Sequence, residues 1–256
     1  MSTHSVAFSD HIARVDLHRP PVNALDQGFV RDLTATARLL ARRSDVWIIS
    51  VTSSLPTFCA GADLKERAAL TPARVTTTVR AIQRMVRAWF ALPQPVVVGI
   101  QGAALGGGLE FALAADLIAV ANEAILGFPE VSLGIIPAAG GTQLLPFRTS
   151  QAIASRWILT GRRFTGREAY LEGVADLAWP AEAFSTTYEE LLASIRNNAP
   201  LALRQAKKAL RSGRLTTLDR GLVHEQRCYT SLVRTEDRAE ALRAFLEKRP
   251  PTWHGR

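Results

Sequence analysis

Three glycines stand directly before a glutamate in the stretch QGAALGGGLEFALAAD, residues 101–116. Glycine loses more freedom on folding than any other residue and is a poor helix former, so Gly106, Gly107 and Gly108 indicate a place that needs bare backbone. A helix that begins there offers unpaired N–H groups with a partial positive charge. The pattern therefore predicts a site for a negatively charged oxygen, with Glu110 beside it as an acid or a base.

A phosphate is one group that could occupy such a site. The Walker pattern requires a lysine and then a serine or threonine after the glycines, whereas Leu109 and Glu110 follow here. The glycine spacing also does not give the dinucleotide pattern G-x-G-x-x-G. A carboxylate one turn away further disfavours a phosphate. The sequence therefore favours a carbonyl oxygen that becomes negative during a reaction.

Two further stretches carry candidate groups for the same chemistry. FCAGADLKER, residues 58–67, follows a predicted buried strand, and the small residues 60–62 let the backbone approach a ligand and supply a second N–H donor. FPEVSLGIIPAAGGTQ, residues 128–143, places Glu130 in an apolar setting. Small residues after a strand can also form only a tight turn, and such a glutamate can be an exposed loop residue. Their occurrence in order on one chain favours a shared site.

Strands and helices alternate around these stretches. SVAF and IARVDL alternate as the strands of a hairpin, and a helix follows with Asp26 as its N-cap. DVWIISVTS, QPVVVGIQG, LIAVA and AILGFP indicate strands, with a long helix that has Pro72 in its first turn and the short helix LEFALAAD between them. From about residue 145 the pattern is helical, with VADLAWP as one last strand. This order predicts an α/β core with parallel pairing.

The composition excludes several classes of protein. The 256 residues are 47% hydrophobic and carry a formal charge of +8, but the basic residues are dispersed among acids, which favours a solvated surface over nucleic-acid binding. The two cysteines, Cys59 and Cys228, rule out a disulfide framework and indicate buried thiols. The chain has no stretch of about 18 apolar residues and no signal-like N-terminus, so the predicted location is cytoplasmic, with no membrane partner.

The blocks FCAGADLKE, GAALGGGLEFALAAD and FPEVSLGIIPAAGGTQ resemble the signature blocks of the crotonase superfamily, the enoyl-CoA hydratases and isomerases. PVNAL, LTGRRFTGREAYLEGVAD and TEDRAEALRAFLEKRPPTWHGR add to the resemblance, which covers nearly the whole chain. It implies an α/β fold, a spiral of ββα units with a helical C-terminal trimerisation region. Residues 1–195 would form the core with the CoA and catalytic sites, and residues 196–256 the oligomerisation region of a homotrimer or a hexamer (a dimer of trimers).

The resemblance also implies a ligand and its contacts. The ligand would be an acyl-CoA substrate, so that coenzyme A is part of the substrate and neither a separate cofactor nor a metal is expected. The oxyanion hole would be the backbone N–H groups of Ala62 and Gly107. Lys65 or Arg67 could meet the phosphates. The predicted CoA-binding residues are Ala60, Ala62, Asp63, Leu64 and Lys65.

The hydratases of this superfamily have a glutamate at both acid–base positions, and this chain has Glu110 and Glu130. By analogy, Glu110 mainly activates the water and Glu130 protonates Cα. Two departures from the family pattern stand in the third block: Ala138 replaces a usual glycine near the water site, and Leu144 replaces a usual arginine.

Three alternatives stay open. A Δ3,Δ2-enoyl-CoA isomerase would use Glu130 alone, and the loop FCAGADLKERA is similar to that of the 3-methylglutaconyl-CoA hydratases. A non-catalytic acyl-CoA or RNA binder is disfavoured because two buried acids cost desolvation without helping a binder. Acyl length, branching and pathway are not determined by the sequence.

Overall fold

The computed structural model describes residues 3–213 and 217–256. In this part of the chain there are ten strands and eleven α-helices. The strands are β1 (His4–Ser9), β2 (Ile12–Leu17), β3 (Ile48–Ser53), β4 (Thr57–Cys59), β5 (Val96–Ile100), β6 (Ala103–Leu105), β7 (Leu117–Ala121), β8 (Ile125–Gly127), β9 (Arg163–Thr165) and β10 (Leu177–Trp179). The helices are α1 (Gln27–Leu40), α2 (Leu64–Ala68), α3 (Pro72–Phe90), α4 (Gly107–Ala112), α5 (Gly141–Arg148), α6 (Gln151–Leu159), α7 (Gly166–Leu171), α8 (Ala181–Arg196), α9 (Pro200–Gly213), α10 (Leu218–Leu232) and α11 (Glu236–Glu247). A 3-10 helix spans Pro129–Leu133.

Two sheets organise the chain. The larger has the order β1-β2-β3-β5-β7-β10, in which β1 and β2 form an antiparallel hairpin and the other neighbours are parallel. The smaller has the order β4-β6-β8-β9 and is parallel except for the pair β8 and β9. A strand of the large sheet is thus repeatedly followed by a short strand of the small sheet and then by a helix. The expected α/β spiral of ββα units is confirmed.

The predicted long helices and strands are confirmed. Some of the short elements were not predicted, or begin at a different residue. The hairpin forms as expected, and Asp26 caps α1 by accepting a hydrogen bond from the Phe29 N–H. The three-residue strands β4, β6 and β9 were not predicted. The helix predicted over LEFALAAD begins two residues earlier, at Gly107.

The core lies between the sheets and the helices that cover them. Trp89 of α3 donates its indole N–H to the carbonyl oxygen of Leu33 in α1 and meets the ring of Phe111 in α4 edge-on at 5.1 Å. Both cysteine thiols are buried, as predicted.

In the described part of the chain, no helix combines the length and the apolar composition needed to cross a membrane. The boundary predicted at residues 195 and 196 stays a prediction.

A buried ion pair attaches α9 to the large sheet. The carboxylate of Asp116 accepts from the Val96 N–H at 2.8 Å, from Lys207 Nζ at 2.6 Å and from the Arg211 guanidinium at 2.8 Å. Lys207 also donates to the carbonyl oxygen of Gln94. Burial lowers the pKa of Lys207 to about 8, and the charge of Asp116 opposes this shift. The ammonium group is therefore buried together with its counter-charge.

Replacing Asp116 with Asn should destabilise the protein, because it leaves the Lys207 ammonium buried without a negative partner. Breaking such a pair typically costs about 3 kcal/mol. We expect Asp116→Asn to lower the free energy of unfolding by about this amount in urea at pH 7 and fixed protein concentration. Asp45→Asn is the control, because Asp45 forms an exposed pair with Arg43 and should change stability little. Equal effects of the two variants would contradict the structural role of Asp116.

Candidate active site

The glycine run is explained by two close approaches of other groups. Gly106 has φ +50° and ψ −124°, and a Cβ atom there would lie 2.6 Å from Glu130 Oε1. A Cβ atom on Gly108 would lie 2.2 Å from the carbonyl oxygen of Cys59 in β4. Both distances are shorter than van der Waals contact. Gly106 therefore makes room for a carboxylate, and Gly108 lets α4 pack against the backbone of β4.

Two backbone N–H groups meet where β4 and β6 end. Leu25 donates to the carbonyl oxygen of Gly61 and accepts from the Asp63 N–H, which fixes the residues on both sides of Ala62. Gly107 is the first residue of α4, and a Cβ atom on it would lie 3.6 Å from Ala62 N. Among the described residues, no hydrogen-bond acceptor is found for the Ala62 or Gly107 N–H. This pair can therefore bind an oxygen atom of a ligand.

Glu110 projects from the first turn of α4 and is 3% exposed. Its Oε1 accepts hydrogen bonds from the Ala139 and Gly141 N–H groups, each at 2.8 Å. Burial raises the pKa of this carboxyl, while the N–H groups of Gly141 and Ala139 act in the opposite direction by stabilising the charged form. Because Oε1 has two donors, Oε2 is the oxygen left for a ligand. A Cβ atom on Gly107 would lie 3.8 Å from it.

Glu130 lies in the first turn of the 3-10 helix that follows β8 and is 8% exposed. Its Oε2 is buried without a hydrogen-bond partner. Burial raises the pKa of Glu130 to about 7; the negative charge of Glu110 adds to this shift, and the charge of Arg67 opposes it. Glu130 therefore carries a proton for much of the time at neutral pH, and it can donate that proton to a ligand.

Both glutamates and both N–H groups border one cavity of about 520 Å³. Its remaining walls are mostly apolar and come from α2, α3, and the segment around the 3-10 helix; they include Leu64, Val75, Val79, Ile82, Leu133, Ile135, Ile136, Ala138 and Ala139. Ala138 lines this cavity, so its methyl group occupies space that a glycine would leave free. Among the described residues, no group of three or more His, Cys, Asp or Glu side chains is placed to hold a metal ion.

The predicted CoA-binding residues divide into two groups. Ala60, Ala62 and Leu64 line the cavity, whereas Asp63 and Lys65 do not. The side chain of Asp63 instead caps α2, by accepting from the N–H groups of its second and third residues, and pairs with Arg19 at 3.2 Å. Lys65 is exposed to solvent. The CoA contacts of these residues stay predictions.

The backbone N–H groups that hold Glu110 were not predicted from the sequence. The Ala139 and Gly141 N–H groups belong to the segment PAAGG, which was recognised only as part of a signature block. The sequence feature that could have indicated this contact is Gly141, because a glycine is required there. A Cβ atom on it would lie 3.1 Å from Glu110 Oε1 and 2.9 Å from the Phe128 ring. The apolar side chains that α3 contributes to the cavity were also missed.

The chain is similar to known proteins over most of its length. A family model described as Enoyl-CoA hydratase/isomerase matches residues 7–256. YngF of Bacillus subtilis (strain 168), whose name places it among the enoyl-CoA hydratase/isomerases, is 43% identical over 249 residues, which are 96% of each chain. The human mitochondrial methylglutaconyl-CoA hydratase is 37% identical over 238 residues, 91% of this chain and 70% of that protein. A crystal structure of an enoyl-CoA hydratase from Bacillus anthracis has a TM-score of 0.95 and 35% identity, with 100% of both chains covered.

The raised pKa of Glu130 should make stability depend on pH. The carboxyl titrates near 4.5 when unfolded and near 7 when folded, so its stabilising contribution is complete below about pH 4.5 and is lost as the pH rises through about 7. Gln cannot ionise, so the Glu130→Gln variant lacks this loss. As the pH rises from 5 to 8, the free energy of unfolding of the variant should therefore increase relative to that of the wild type. Melting temperatures at the two pH values would measure this, with the exposed Glu123→Gln as control. A difference between Glu130→Gln and the wild type that is the same at both pH values would contradict the raised pKa.

Proposed function

Because the chain belongs to the enoyl-CoA hydratase/isomerase family, the crotonase superfamily, we propose that it is an enoyl-CoA hydratase. It adds water across the α,β double bond of a 2-enoyl-CoA thioester to give a 3-hydroxyacyl-CoA. The observation that carries the proposal is the pair of carboxyl groups at one cavity, of which Glu110 is held by two N–H donors and Glu130 has an unpartnered buried oxygen. Hydration needs both a base and an acid, and this pair supplies them.

The Ala62 and Gly107 N–H groups bind the thioester oxygen in this proposal. Attack of water at Cβ moves electrons toward that oxygen, which becomes enolate-like. Two donors already oriented by the Leu25 bridge and by the start of α4 stabilise the developing charge without reorganising. Removal of one such donor typically costs about 10²- to 10³-fold in rate, so this pair has a large share of the catalysis.

The two glutamates divide the proton transfers. Glu110 Oε2 accepts a proton from the water as the water oxygen bonds to Cβ. Glu130 donates its proton to Cα, and the electrons of the double bond form the new C–H bond. The elements of one water molecule are thus added, and the step ends with Glu110 protonated by the water and Glu130 ionised. Return of this proton, directly or through a water molecule, restores the starting state.

Coenzyme A would be held by the segment after β4. Ala60, Ala62 and Leu64 line the cavity there, and the backbone of the same segment includes Asp63 and Lys65. The human relative with 37% identity acts, by its name, on methylglutaconyl-CoA, so a branched acyl group belongs among the substrates to be tested. Coenzyme A is part of the substrate in this proposal. The cytoplasmic location stays a prediction.

The first test is the loss of enoyl-thioester absorbance when the protein meets crotonyl-CoA. We expect Glu110→Gln and Glu130→Gln each to lower kcat/KM by at least about a hundredfold, the scale of general acid–base groups. Glu123→Gln, which is exposed and outside the cavity, is the matched control. The wild-type rate should fall as the pH rises through about 7, because Glu130 then loses the proton it must donate.

Two outcomes would contradict the hydratase proposal. If the wild type leaves crotonyl-, longer and 3-methylglutaconyl-CoA unchanged but converts a 3-enoyl-CoA into the 2-enoyl isomer, the protein is an isomerase. If no enoyl-CoA reacts and a saturated acyl-CoA still binds, the protein is an acyl-CoA binder.

We further propose that the C-terminal helices assemble the chain into trimers, or into hexamers made of two trimers. Large apolar side chains of α10 and α11 are exposed in the single chain, with Phe245 80% and Leu246 79% exposed. Burial of such side chains at an interface would remove them from water.

Light scattering after size-exclusion chromatography tests the assembly. The wild type should have a mass of three or six chains of 27.9 kDa, and the double change of Phe245 and Leu246 to Ser should shift it toward one chain. Leu39→Ser, an exposed leucine of α1, is the control and should not change the mass. A wild type with the mass of one chain would contradict the proposal.

A further inference from the structure

Arg67 is a charged group that neither donates nor accepts a proton in the proposed hydration. It lies in the last turn of α2 and lines the catalytic cavity, where it is the basic residue among otherwise apolar, glycine and glutamate neighbours. Its Nε is buried and has no hydrogen-bond partner. Within residues 3–213 and 217–256, Arg67 has no carboxylate at ion-pair distance. The residue is half-buried, so its charge is partly removed from water and its buried nitrogen lacks the hydrogen bond that buried polar atoms usually have.

The position of Arg67 is near the reacting centre. Its positive charge lowers the pKa of both Glu110 and Glu130, although burial raises each of them more. In coenzyme A the whole pantetheine arm separates the phosphates from the thioester. A guanidinium that acts on both glutamates is therefore better placed to meet a group on the acyl chain than a phosphate of the nucleotide end.

We propose that Arg67 makes the enzyme selective for enoyl-CoA substrates whose acyl chain carries a carboxylate, which the guanidinium binds. This inference rests on the proposed function, because the thioester oxygen is assigned to Ala62 and Gly107 and the double bond to the space between the glutamates. A carboxylate on the chain beyond Cβ would then lie in the same cavity that Arg67 lines. The planar guanidinium fork matches a carboxylate and would complete the hydrogen bonding of Nε.

The charges that border the cavity favour a strong preference for carboxylated over neutral substrates. Without Arg67, a substrate carboxylate would enter an apolar cavity that already contains the Glu110 carboxylate, and both desolvation and repulsion would oppose it. With Arg67, the same carboxylate has a partner. A neutral acyl chain gains nothing from the guanidinium. The residue should therefore control the ratio between carboxylated and neutral substrates.

The experiment compares glutaconyl-CoA, a 2-enoyl-CoA with a terminal carboxylate, with neutral hex-2-enoyl-CoA. The wild type should have the higher kcat/KM for glutaconyl-CoA. Arg67→Met, which keeps an unbranched side chain that is shorter and has no charge, should lower the ratio of the two kcat/KM values by at least about tenfold, and Arg67→Lys by less. Arg74→Met removes an exposed charge of α3 outside the cavity and should leave the ratio unchanged.

Titration calorimetry with saturated glutaryl-CoA and hexanoyl-CoA separates this inference from the proposed function, because binding needs no turnover. If the protein hydrates nothing but Arg67→Met selectively weakens glutaryl-CoA, the hydratase proposal is wrong and the carboxylate site is supported. If Arg67→Met weakens both acyl-CoAs equally, Arg67 binds coenzyme A and the inference is overturned. It is also overturned if kcat falls equally for both enoyl-CoAs, since Arg67 would then act only on the glutamates.

Discussion

The structure depends on keeping two carboxyl groups out of water at one cavity while giving them different proton affinities. Burial alone would raise the pKa of both. The chain distinguishes them with backbone donors, because the Ala139 and Gly141 N–H groups hold one oxygen of Glu110, whereas Oε2 of Glu130 has no partner. Two donors that bind one oxygen of Glu110 favour its carboxylate, whereas the unpartnered oxygen of Glu130 and the like charge of Glu110 favour a carboxylic acid at Glu130. The same desolvation therefore yields a base and an acid.

The two-sheet arrangement explains why the oxyanion donors meet. Strands β4 and β6 are parallel neighbours in the small sheet, with Cys59 opposite Ala104, so the chain leaves both strands at the same edge. Ala62 follows one strand and Gly107 follows the other. The approach is so close that Gly108 has no room for a side chain against β4. The conformational cost of the glycines is therefore the cost of bringing the two N–H groups together.

The sequence allowed the long elements and the reacting side chains to be predicted, because both leave a pattern in residue types. Five- and six-residue strands such as β3 and β5 form apolar runs, and the block around Glu110 is recognisable from its glycines. Three residues, as in β4 or β6, are too few to show an alternation. The N–H groups that hold Glu110 could not be identified from residue types, because every residue except proline has a backbone N–H. Likewise, the 19 residues between Glu110 and Glu130 give no measure of the distance between their carboxyl groups.

The positive charge of Arg67 balances the negative charge of one glutamate in the cavity. The proposed proton transfers leave the net charge of these side chains unchanged. With Glu130 protonated, the cavity contains one negative charge on Glu110 and one positive charge on Arg67. Transfer of a proton from water to Glu110 and from Glu130 to Cα moves the negative charge from one glutamate to the other and creates none. Because the charge of Arg67 favours the ionised form of both glutamates, it can stabilise the negative charge at either location. A fixed charge that serves both ends of the proton transfer needs no reorganisation during the reaction, which is the physical basis of electrostatic catalysis.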